Sequence, residues 1–71
     1  MAILRQMYEH QFVLVTSDDK IIGRLVKKPT AIVWHFYQRG LVGFVKFTFV
    51  ADCVRWLIDE QGLQVEVEWK E

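Results

Sequence analysis

RGLVGFVKFTFVADCVRWLIDEQG, running from Arg39 to Gly62, reads as a tight turn, a long apolar strand and one amphipathic helix closed by glycine. Gln38-Arg39-Gly40-Leu41 suits a two-residue hairpin loop, because glycine takes a positive φ without steric cost. On that loop Gln38 faces Leu41, Phe36 faces Gly43, Trp34 faces Val45 and Ile32 faces Phe47. Side chains alternate across a strand, so Ile32, Trp34, Phe36, Val45, Phe47 and Phe49 share one face, the expected core. Gly43 would leave room for the ring of Phe36. The opposite face holds Val33, His35, Tyr37, Val42, Phe44, Lys46 and Thr48, too apolar a set for an ordinary solvated surface.

The helix is expected over Val50 to Gln61, with Val50, Val54, Leu57, Ile58 and Gln61 on one stripe and Cys53 at its edge. Asp52 falls in the first turn, where the helix dipole favours an acid, and Gly62 follows the last. Trp56 lands opposite that stripe, either under a covering segment or as a partner contact.

Outward from this core, residues 2–10 place Ile3, Leu4, Met7 and Tyr8 at helical spacing and predict a short helix. Phe12–Thr16 begins a strand, Ser17-Asp18-Asp19-Lys20 has turn chemistry, and Ile21–Lys27 returns as a second strand. A helix over residues 17–28 is the rival, with Ser17 as its cap and Pro29 beyond its end. Gly23 and the adjacent isoleucines count against it. Leu63, Val65, Val67 and Trp69 alternate with polar residues, as in a strand with one buried face. The chain therefore predicts a single α+β domain over residues 1–71: an antiparallel meander of about four strands, a helix packed on one face, and a returning strand. With the rival helix the fold becomes a ferredoxin-like βαββαβ unit.

Composition supports association. The sequence is 52% hydrophobic over 71 residues, and a chain this short has too much surface for its volume to hide that much apolar material. A homo-oligomer, most simply a dimer, or a protein partner is expected. No run of residues reaches the length of a membrane span, one cysteine forms no internal disulfide, and a cytoplasmic location is the expectation. Net charge is zero, but Lys20 to Ala51 carries six bases and no acid, while six acids follow from Asp52 onward against Arg55 and Lys70.

Gly43-Phe44-Val45-Lys46-Phe47 is similar to the second half of the RNP1 motif of RNA-recognition (RRM) domains, which also lies on a strand before a helix and a last strand. That resemblance implies a base-stacking role for Phe44 and burial of Val45 and Phe47. Val42 departs from it where the family has its other stacking aromatic, as does Gly40 where it has Lys or Arg.

No phosphate loop, metal-ligand spacing or nucleophile elbow is present, so no catalytic residue, cofactor or metal is expected. His10 and His35 are the only imidazoles, and a Cys53–His35 dyad requires the fold to join them. The functional expectation is a non-catalytic interaction or regulatory module using one sheet face, with Phe44, Tyr37, His35, Val42 and Trp56 as interface residues. The alternative is single-stranded RNA or DNA binding through Phe44, Tyr37, Lys46 and Arg39.

Overall fold

A computed structural model describes residues 1–71. The elements are β1 (Ala2–Tyr8), β2 (Gln11–Thr16), β3 (Ile21–Val26), β4 (Trp34–Gln38), β5 (Val45–Phe47), α1 (Val50–Gln61) and β6 (Val65–Glu68). The strands form one mixed sheet in the order β5-β4-β3-β2-β1-β6, antiparallel throughout except for the parallel pair β1–β6. The fold is α+β, with the single helix laid on one face of the sheet.

Residues 2–8 are a strand, not the expected helix. Ala2 and Leu4 are buried on one side while Ile3 and Arg5 face the other. An isolated helix of this length is unstable in water, whereas β1 gains backbone ladders on both sides, to β2 and to β6. Residues 17–28 follow the hairpin reading, which removes the ferredoxin-like alternative. Asp19 takes a positive φ of 64°, its N–H donates to the Thr16 carbonyl, and Thr16 N–H donates to the Lys20 carbonyl at 2.9 Å. The returning strand β6 lies parallel to β1, giving a meander of five strands, a helix and a sixth strand.

The β4–β5 register is two residues away from the two-residue-loop pairing. Trp34 faces Phe47, His35 faces Lys46 and Phe36 faces Val45. The connection runs through Arg39–Phe44 and uses both Gly40 (φ 82°) and Gly43 (φ 79°) in left-handed conformations. A shift of two keeps every side chain on its own face, so Phe36 remains central and Trp34, Val45 and Phe47 stay half-buried. Ile32 precedes the strand and is 84% exposed, while Phe49 becomes the helix N-cap and is 65% exposed. Neither belongs to the core. Gly43 faces no ring; Gly23 does, since a Cβ there would sit 3.1 Å from Phe36 Cζ.

The core lies between sheet and helix: Ala2 and Leu4 from β1, Phe12 and Leu14 from β2, Leu25, Phe36, Cys53 and Leu57. Asp52 accepts the Phe49 N–H at 3.3 Å across the helix start, and the N–H groups of Gly62 and Leu63 return to the carbonyls of Ile58 and Leu57 at its end. The side-chain amides of Gln38 and Gln61 bond reciprocally, one arm at 2.8 Å, and tie the end of α1 to β4. The buried stripe of α1 is centred on Cys53 and Leu57, with Val50, Val54 and Trp56 packed at its margins. Ile58, expected inside, is 44% exposed.

Trp56 points toward the sheet. Its ring meets Phe36 edge-on at 5.9 Å and Phe47 at 5.7 Å. The expected outward tryptophan is thus corrected: the β4–β5 arm reaches over that flank of the helix and nothing comparable reaches over Ile58.

Candidate functional site

One helix, ~10 Å across, covers about two strands at their ~4.8 Å spacing. The molecule measures 33 × 29 × 18 Å, and the short dimension holds only two layers. No helix covers the sheet face away from α1, and strand parity places on it Ile3 and Arg5 on β1, Gln11, Val13 and the buried Val15 on β2, Arg24 and Val26 on β3, His35 and Tyr37 on β4, Lys46 on β5, and Glu66 and Glu68 on β6.

Phe44 leaves the β4–β5 connection and folds back onto this face. Its ring lies 4.5 Å from His35 at an interplanar angle of 31° and 5.6 Å from Tyr37. Arg24 sits over the other part of Tyr37, its guanidinium carbon 5.1 Å from the ring centroid. Arginine over a tyrosine face is attractive through the ring quadrupole. Phe44 nonetheless remains 45% exposed, and Val42, at the tip of the connection, is fully exposed. Beside Tyr37 a shallow depression of about 520 Å³ is bordered by Arg24 and Arg39 and floored by Val13.

Of the expected interface residues, His35, Tyr37 and Phe44 form one aromatic cluster, Val42 stands free in the β4–β5 connection, and Trp56 lies on the opposite side of the sheet. Lys46 projects from the same face beside His35, and Arg39 borders the depression. The residue that sequence reasoning missed is Arg24. The signal that could have found it is its place on β3, one position beyond Gly23, which puts it across from Tyr37 once the β3–β4 register is known.

Charge is unevenly satisfied across this face. Both ion pairs of the molecule belong to Arg5, with Glu68 at 2.8 Å and Asp19 at 3.9 Å. Arg24, Arg39 and Lys46 have no carboxylate partner.

A second apolar feature lies on the helix side. Trp34 and Trp69 flank Phe12, their rings 5.6 and 5.4 Å from it. Together with Phe49, Val50, Val54 and Val67 they border an open groove of about 500 Å³ with only apolar walls. It exists because the helix is narrower than the sheet, and Trp69, expected inside, is 61% exposed.

Cys53 and His35 lie on opposite sides of the sheet, so the fold does not form that dyad: Cys53 packs in the core, and His35 alternates away from the buried Phe36. Burial desolvates the Cys53 thiolate and pushes its pKa from 9.0 up to about 12. A raised folded value means that the thiol's contribution to stability is complete below pH 9.0 and is lost as pH rises toward 12. Between those limits the loss is up to ~1.4 kcal/mol per pH unit. Native protein should therefore resist thiol alkylation at neutral pH, and alkaline destabilisation should be steeper in the parent than in Cys53→Ala. Equal alkaline slopes in urea titrations would refute this account of Cys53.

No three His, Cys, Asp or Glu side chains gather as a metal-binding group. No helix is long and apolar enough to cross a membrane.

No protein-family model, curated protein or solved structure matches the chain.

Proposed function

We propose that this chain is a small, non-catalytic interaction or regulatory module, working in the cytoplasm, that self-associates or binds a protein partner through the uncovered sheet face. One observation carries the reading: the helix covers only one face of the sheet, and the other face holds an aromatic cluster of His35, Tyr37 and Phe44 among its exposed charges. Domains bury each sheet face that is apolar, and an uncovered apolar face marks an interaction site. His35, Tyr37 and Phe44 form the centre of the contact, with Val42 at its margin.

Replacing Phe44 by alanine tests this directly. Because the ring is 45% exposed, the fold should survive with a cooperative transition. Association should weaken by ~2 kcal/mol or more, the amount usual for a central interface aromatic. Sedimentation and light scattering over a concentration series read the difference. A variant that melts far below the parent at every concentration, with no concentration dependence in either, would sink the proposal.

A second reading, single-stranded nucleic-acid binding by the same face, is favoured by the unpaired Arg24, Arg39 and Lys46 around the rings. It expects Phe44→Ala to leave stability and oligomeric state alone and remove ~1–3 kcal/mol of oligonucleotide affinity. It also expects binding of a mixed single strand to fall steeply with salt.

A further inference from the structure

The sheet ends in two free edges, β5 on one side and β6 on the other. An edge strand offers unpaired backbone N–H and C=O groups to any other strand unless something blunts it, and inward or exposed charge is one such device. These two edges are guarded with opposite charge. Lys46 is the only charged residue of β5, and Glu66 and Glu68 are the charged residues of β6.

All three are exposed and stand on the same side of the sheet. Lys46 is paired with His35, Glu66 with Ile3 and Glu68 with Arg5. On the other side both edges are apolar, with Val45 and Phe47 on β5 and Val65 and Val67 on β6. Neither edge strand contains proline, and neither ladder to its neighbour has a bulge.

Three edge junctions between copies are available, and the charges rank them. Joining β5 to β5 sets Lys46 against Lys46, and joining β6 to β6 sets glutamates against glutamates. Like charges directly across a strand pair are destabilising. Joining β5 to β6 sets Lys46 beside Glu66 or Glu68 on one face and aligns apolar residues on the other. Strand direction agrees. The meander alternates from β1 to β5 and β6 runs with β1, so β5 and β6 point the same way. A copy placed edge to edge in the same orientation forms a parallel ladder, the kind β1 and β6 already make, and keeps its helix on the same side.

We infer that copies of this chain join head to tail, β5 of one pairing with β6 of the next, with Lys46 and the two glutamates selecting this junction over either like-edge one. Each junction leaves a free β5 and a free β6, so the assembly closes as a ring or continues as a filament. The junction is made by the backbone edges of β5 and β6 and not by the Phe44 ring, although Lys46 belongs to both surfaces.

A charge swap tests the junction. Lys46→Glu gives a chain acidic on both edges, and Glu66→Lys/Glu68→Lys gives a chain basic on both. By sedimentation velocity at low salt, each alone should need at least ~10-fold more protein than the parent to associate. An equimolar mixture should recover the parent's association with one-to-one composition. Because Glu68 also holds Arg5, the single Glu66→Lys variant serves as a second partner, with circular dichroism to confirm folding. Repeating the mixture in a Phe44→Ala background separates the two surfaces, since recovery there is owed to the edges alone. Variants that associate like the parent, a mixture no more associated than its components, or a parent that stays monomeric would each overturn the inference. So would loss of association explained by lost oligonucleotide binding, which the swapped mixture cannot restore.

Discussion

Phe36→Ala should leave the protein largely without a cooperative fold. The ring is fully buried at the middle of β4, packs edge-on against Trp56 and lies across the backbone of Gly23. Truncating such a phenylalanine removes ~3–5 kcal/mol through lost burial and the cavity left behind. Domains hold only ~5–15 kcal/mol in total, and one this small sits at the low end. Trp56 would lose one of its two aromatic neighbours, so its fluorescence should shift red even before denaturant is added. A variant melting within a few degrees of the parent would show that Phe36 is not central to the core.

Gly23→Val should be destabilising as well, although valine is the better strand former. Strand propensity alone favours the change, since glycine has no side chain to pack and loses more backbone entropy. The site decides otherwise. A Cβ at position 23 would lie 2.8 Å from the Tyr37 carbonyl oxygen and 3.1 Å from the Phe36 ring. The first contact is with backbone, so β3 and β4 must separate or Phe36 must leave its rotamer. Overpacking of this kind costs ~1–3 kcal/mol or more, and a β-branched side chain adds further crowding. Urea denaturation of Gly23→Val against the parent reads the sign: a midpoint at or above the parent's means that the sheet yields more easily than its geometry implies.

Much of this fold is legible in the sequence. The helix declared itself through period, Asp52 and Gly62, and the hairpin through the turn chemistry of Ser17–Lys20. Strand β6 followed from strict alternation. The first strand did not, because Ile3, Leu4, Met7 and Tyr8 satisfy a helical wheel as well as a strand. The deciding interaction, pairing with β6, comes from the far end of the chain. The β4–β5 loop was misread because two glycines, at 40 and 43, each permit a turn, and local sequence does not say that both are used. Parity survived that error for His35, Tyr37 and Lys46, while Phe44 joins them from the connection and not from the strand. Trp56 was misplaced for a different reason. The expected stripe was centred nearer Val54 and Ile58, whereas the buried one is centred on Cys53 and Leu57, which brings Trp56 to its margin and turns Ile58 outward.

The parallel pairing of β1 with β6 has a consequence for how the protein is made. Arg5 and Glu68, joined across that ladder, are 63 residues apart in sequence. A pairing across so long a separation forms late, because loop-closure entropy must be overcome before its contacts form. On the ribosome, β1 and β2 emerge early and can pair at once. The other side of β1 then waits, unpaired, until Val65–Glu68 have been synthesised and released from the exit tunnel. During that interval a nascent chain presents Ala2–Tyr8 as an open edge to its neighbours on the same messenger. Slower translation between residues 50 and 70 should therefore lower the soluble yield of this protein.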